Sequence, residues 1–236
     1  MIILRSLATY VVVLVYIAIM GPIGLIVGIV FKSKRGVYRV GHGGVRLALV
    51  MAGIRWTVIG RENLPKTAAV FCANHESNVD PAVLFEVLHP RLHILYKAEL
   101  RKFPIMCTAF DVAGFVAVER ADREQAMASI SRGAASLRAG NSFLIFPEGT
   151  RSRTGALLPF KKGGFIMAIE AQVPVVPVAI RGGRDAMRKG SAFVRPVTTT
   201  VRIGKPVPTA GMTLNDRDRL IAQVRVEVQK LLDVGV

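Results

Sequence analysis

The chain has 236 residues, room for one sizeable α/β domain plus an appendage, and 51% of them are apolar, more than a soluble domain usually carries. Thirty-two Lys and Arg against 16 acids leave a formal charge of +16, which favours a polyanionic partner, either nucleic acid or an anionic lipid surface. No zinc-finger spacing, RNA-binding aromatic consensus or basic region with heptads is present, which argues against nucleic acid, and two cysteines, Cys72 and Cys107, supply neither a disulfide framework nor a structural metal site.

The first predicted element decides between the two polyanions. The 26 residues from Ser6 to Phe31 carry no charge, against roughly 20 needed for a helix to cross a bilayer. A cleaved leader fits poorly, because the apolar run is too long and no small-x-small site follows. Gly21-Pro22 falls midway, where the missing amide and the ring clash predict a kink. The segment therefore either spans with a bend or turns back within one leaflet. Lys32, Lys34, Arg35 and Arg39 follow at once and assign this end to the cytoplasmic side of the cell membrane. A second apolar stretch, VRLALVMAGIRWTVIG (45–60), contains Arg46 and Arg55, which predict an interfacial helix with Trp56 near headgroup level. Residues 1–55 are thus expected to form a membrane-seated helical pair, with the bilayer as a partner.

From residue 56 short β-rich runs alternate with amphipathic stretches, the pattern of an α/β domain over 56–236 with a mixed central sheet of about seven strands flanked by helices. The expected strands are 56–60, 68–73, 92–97, 115–118, 142–147, 175–180 and 197–203. Asp80-Pro81 reads as a helix N-cap followed by proline at the first helical position. Asp122 and Gln125 resemble a capping box for a helix whose face is Met127, Ile130, Ala134 and Leu137, ended by Gly140. Leu220, Ile221, Val224, Val228 and Leu231 give the stripe of a closing helix. The two prolines of VPVVPVAIR (173–181) suit an edge strand or a bulge.

Chemistry-bearing residues cluster at predicted strand ends. In VFCANHESNVDPAVL (70–84), His75 falls on a strand-to-helix loop, where α/β sheets place their sites. A loop this short can bring Asp80 to one imidazole nitrogen, fixing the tautomer and leaving the other nitrogen free to take a proton. SFLIFPEGTRSRTG (142–155) runs from a strand into a glycine-containing loop: Gly149 permits close backbone approach, and Arg151 and Arg153 offer forked donors suited to phosphate. GFVAVERADR (114–123) ends a short strand in Glu119-Arg120. His89 and His93 have helical-face spacing, but Pro90 intervenes and no carboxylate accompanies them, so they read as loop-edge histidines and no metal is expected.

Taken together, NHESNVD, GFVAVER, FPEGTRSR and VPVVPVAI, in this order, resemble the four blocks of the glycerolipid acyltransferase family that includes 1-acylglycerol-3-phosphate acyltransferases. LYKAEL (95–100) and LPFKKGGF (158–165) match family segments between them, and the resemblance spans roughly 60–182. It implies that His75 is a general base oriented by Asp80, deprotonating a lysophospholipid hydroxyl that attacks the thioester of acyl-CoA or acyl carrier protein. It further implies that Lys97, Arg120, Thr150 and Arg151 hold the acceptor, while Glu148 and Gly149 shape the loop and the oxyanion environment. No cofactor is implied. No G-x-S-x-G elbow occurs, although Ser77 and Cys72 keep an acyl-enzyme route open. Other acceptors, such as a lyso-ornithine lipid, and hydrolysis of the thioester are the rival activities.

Overall fold

The computed structural model describes residues 1–88, 92–102, 104–118 and 123–234. Its elements, in chain order, are α1 (Ile2–Ile29), α2 (Lys34–Ala52), β1 (Arg55–Ile59), β2 (Val70–Ala73), α3 (Asp80–Val87), β3 (Leu92–Lys97), α4 (Pro104–Ala113), β4 (Val116–Val118), α5 (Arg123–Arg138), β5 (Ser142–Ile145), α6 (Gly163–Ala171), β6 (Val175–Arg181), α7 (Gly183–Ala186), β7 (Thr198–Ile203) and α8 (Arg217–Asp233).

Seven strands form one mixed sheet in the order β1-β7-β6-β2-β5-β3-β4. All neighbours are parallel except β6 and β7. The central strands β2, β5 and β6 are buried on both faces, which is why VFCA, SFLI and VVPVAI read as near-continuous apolar runs rather than alternations. The connections locate the site. From β2 the chain crosses to β3 through α3, stepping past β5; from β5 it crosses to β6 through α6, stepping the opposite way past β2. Crossovers of one hand running in opposite directions put their helices on opposite faces. Accordingly α3 packs with α2 in one core, and α6 packs with α5 and α8 in the other. The reversal opens a crevice at the carboxyl ends of β2 and β5, the position where open α/β sheets bind ligands.

Three expectations need correction. β6 is an interior strand rather than an edge. Pro177 is tolerated there because its carbonyl accepts from Gly204 just beyond the last β6–β7 pair, Val178 with Ile203. In an extended residue N and O point to the same side, so the proline's missing donor faces the end of that ladder. The apolar stretch 45–60 is not one helix: Gly53 (φ 72) ends α2, the Ile54 amide donates to the Leu49 carbonyl at 2.9 Å, and Trp56 lies on β1 opposite Thr199. His93 lies within β3 between Phe115 and Phe143 rather than at a loop edge.

Pro22 sits inside α1 without ending it. Glycines let α1 and α2 approach closely: a Cβ on Gly28 would stand 2.6 Å from Val37 Cγ2, and one on Gly43 2.8 Å from Tyr16 Oη. α5 buries Ala134 and Leu137 as expected and is followed by Gly140 (φ 92), but Met127 is exposed. His89, Pro90 and Asp122 lie outside the described residues.

Candidate active site

β2 ends at Ala73, and the six residues that follow fold back on themselves. The Asn74 side chain extends the β2–β6 ladder, accepting from the Ile180 amide at 2.8 Å and donating to the Ile180 carbonyl at 2.9 Å. With the strand end pinned, His75 is presented at the crevice. Its Nδ1 stands 3.0 Å from Asp80 Oδ2, and its ring stacks on Phe146 with centroids 4.2 Å apart. The ring is 16% exposed and the Asp80 carboxylate 0%.

Asp80 was expected to cap α3, but the helix has Val79 at its N-cap position and no side-chain cap bond. The carboxylate turns upstream instead, and Oδ2 also accepts from the amides of Glu76 at 2.6 Å and Ser77 at 2.7 Å. Two amides and an imidazole nitrogen on one oxygen fix both the loop and the ring tautomer.

Glu148 reaches the same loop from β5. One oxygen accepts from the His75 amide at 2.8 Å and the other from the Leu158 amide at 2.9 Å, so this buried carboxylate ties the histidine loop to the glycine loop. Burial raises its carboxyl above the ordinary range, while the two amide bonds oppose that. Gly149 has φ 69, and a Cβ there would stand 2.8 Å from Lys161 Nζ, so only glycine fits the turn. The loop then crosses the site, with the Ser152 amide donating to the His75 carbonyl at 2.8 Å. Arg151 Nη1 is buried and has no hydrogen-bond partner among the described residues. Thr150 Oγ1 accepts from Lys189 Nζ at 3.1 Å, and the Arg151 carbonyl from the same amine at 3.3 Å.

The fold thus gathers His75, Asp80, Glu148, Gly149, Thr150 and Arg151 at one crevice. Lys97 closes β3 on the same carboxyl-end rim; Arg120 lies outside the described residues. Asn74, Glu76, Phe146, Lys161, Gly183 and Lys189 were not singled out in the sequence. Asn74 and Glu76 flank the histidine, and Phe146 and Lys161 fall in FPEGTRSR and LPFKKGGF, so these four could have been suspected from the segments already quoted; Gly183 and Lys189 have no local signal. Glu76 is pushed up to about 7, first by burial and then by Asp80, with Arg184 and Arg181 pulling it back. The two alternative nucleophiles are both engaged or inert. Ser77 is fully buried and donates its hydroxyl to the Met187 carbonyl at 2.8 Å, and Cys72 is fully buried with its thiol pushed far up by desolvation.

Comparison with known proteins supplies the lineage. The acyltransferase family model matches residues 55–181. Among curated relatives, the chain is 34% identical over 170 residues to 1-acyl-sn-glycerol-3-phosphate acyltransferase of Cocos nucifera, covering 72% of this chain and 55% of that protein. It is 35% identical over 188 residues to the alpha form of 1-acyl-sn-glycerol-3-phosphate acyltransferase of Mus musculus, covering 77% and 66%. The chain therefore spans less than two thirds of the length of these relatives. Among solved structures, the 1-acyl-sn-glycerophosphate acyltransferase PlsC of Thermotoga maritima superposes with a TM-score of 0.82 at 26% identity, over 100% of this chain and 98% of that one. With more than half of its residues inside the family model and a matching fold along its whole length, this chain belongs to the acyltransferase family.

Proposed function

We propose that the protein transfers a fatty acyl group from a thioester donor to the free hydroxyl of 1-acylglycerol-3-phosphate, giving phosphatidic acid. The observation that carries this reading is the imidazole of His75 braced through Nδ1 by a buried carboxylate that is itself held by two amides. Nε2 then takes the proton of the acceptor hydroxyl as its oxygen attacks the thioester carbonyl. The tetrahedral intermediate collapses by breaking the carbon–sulfur bond, and the thiolate leaves with the proton from the imidazolium. A thioester is already activated, so no covalent enzyme intermediate is required.

The acceptor's phosphate is supplied with cations by Arg151, whose buried Nη1 has no hydrogen-bond partner among the described residues and is a donor in want of an anion. Lys97 and Arg120 are the further acceptor ligands in this reading, and Thr150, held by Lys189, lies beside Arg151. The relatives named as 1-acyl-sn-glycerol-3-phosphate acyltransferases support this acceptor over other lysolipids. α1, long and apolar enough to cross a membrane, seats the enzyme on the cytoplasmic face of the cell membrane, where its substrate resides.

The test is a transfer assay with purified protein, labelled lysophosphatidic acid and either acyl-CoA or acyl carrier protein, alongside other lysolipid acceptors. Labelled phosphatidic acid is expected, and His75→Ala should lower kcat by about 10²–10⁴. Near-normal turnover in that variant, or release of free fatty acid with no transfer to any acceptor, would sink the reading.

A further inference from the structure

A cavity of about 540 Å³ opens directly beside the histidine loop, and the acceptor chemistry gives it no task. Its lining includes Glu76, Thr154, Arg181, Arg184, Thr200 and Gln229. Gln229 comes from α8, which packs on the face of the sheet opposite α2 and α3. One wall of the cavity is therefore built by α8, the helix on the face away from α2. Arg181 ends β6, and Arg184 lies on α7 with Nη1 donating to the Thr154 carbonyl at 3.1 Å. A guanidinium holds five donors, so one such bond leaves most of its fork for a ligand.

Resting on the acyl-transfer reading above, we propose that this cleft binds the phosphate-bearing arm of the donor, a phosphopantetheine thioester, with Arg181 and Arg184 as the phosphate ligands. The chemistry of the lining matches that arm along its length. Two guanidiniums answer a phosphate, and the Thr154 and Thr200 hydroxyls and the Gln229 amide answer a chain of peptide-like groups. Two carboxyls, Glu76 and Asp185, also face the cleft. Glu76, already raised to about 7, takes up a proton more readily than an ordinary carboxylate when a second anion arrives. The arrangement also separates the two substrates by phase. The lipid acceptor approaches from the side of α1 and α2, the water-soluble arm of the donor from the side of α8, and His75 stands at the carboxyl end of β2 between them.

Steady-state kinetics on the full chain at saturating lysophosphatidic acid tests this with Arg181→Gln and Arg184→Gln. Acyl-CoA, acyl carrier protein and acyl-N-acetylcysteamine, which lacks any phosphate, serve as donors. Each substitution should raise KM for the phosphate-bearing donors about tenfold or more, leave the acceptor KM unchanged, and match the parent with the phosphate-free thioester. Equal losses with CoA and carrier protein assign the phosphate they share; a loss confined to CoA assigns the nucleotide phosphates. Calorimetric titration with CoA itself reads the site without catalysis. Unchanged donor KM and unchanged CoA affinity in both variants, or an equal loss with the phosphate-free thioester, overturns the proposal. If CoA binds through these arginines but no lysolipid is acylated, the function reading falls and the site stands.

Discussion

The Asp80 carboxylate has a neighbour that only the folded chain reveals. Gly183, at the start of α7, lies so close to Asp80 that an added Cβ would run into Oδ1 and stand 3.2 Å from Ser77 Cβ. Its backbone is in no left-handed conformation, so alanine is permitted by φ and opposed chiefly by the carboxylate. Gly183→Ala should therefore displace Asp80 and its hold on His75 while the fold survives. A misplacement of about 1 Å costs on the order of 10²-fold in rate, so kcat should fall by about that factor with both KM values little changed and the circular dichroism spectrum intact. Unaltered kcat would mean that Asp80 is not needed where it stands. Glu76 offers a second test, in stability rather than rate. Its carboxyl is raised from 4.5 to about 7, so the native state holds this proton more tightly than the unfolded chain does. Across that window the native state binds more protons, and stability falls as pH rises. Glu76→Gln removes the penalty. The variant should lose less stability than the parent between pH 5 and pH 8, read as urea midpoints; identical shifts in both proteins would assign the pH dependence elsewhere.

At the scale of elements, legibility followed how local the determining contacts are. β2, β5 and β6 announced themselves because strands buried on both faces must be apolar throughout. The pairing of His75 with Asp80 was readable because the two are only five positions apart on one loop. The prolines of β6 suggest an edge strand or a bulge, because the position of β7, which ends beside Pro177, cannot be read from either segment alone. The 45–60 stretch reads as one helix for a similar reason: the apolar run continues past Gly53, and the change from helix to strand is made by the backbone at one glycine, not by any change in hydrophobicity. Glu148, Lys189 and Gly183 meet the histidine loop or its neighbours only across 73, 39 and roughly 100 residues of chain. The family blocks marked Glu148. Nothing marked the other two.

For the whole molecule, the two ends of α1, the helix long and apolar enough to cross a membrane, constrain how it would sit in one. At the N-terminal end, Ser6 Oγ accepts from the Val194 amide at 2.9 Å, and Tyr10 Oη donates to the Ala192 carbonyl. At the other end, Gly28 lies against Val37 of α2 and Val112 of α4. A 28-residue helix is about 42 Å long at 1.5 Å per residue, longer than the hydrocarbon core of about 30 Å. If α1 crossed the bilayer, one of these two contacts with the same α/β unit would have to be made on the far side. Both can persist only if α1 lies along a single leaflet, with its exposed flank of Leu4, Val11, Leu14, Ile19 and Ile26 in lipid. Native Cys72 and Cys107 are buried, so single cysteines at Ile2 and Phe31, both exposed and neither on that flank, can be probed with an impermeant thiol reagent. In inside-out vesicles both positions should label, and in right-side-out vesicles neither should. Labelling of one end from each side would establish a span and require that α1 leave Val194 or α4 in the membrane-bound enzyme.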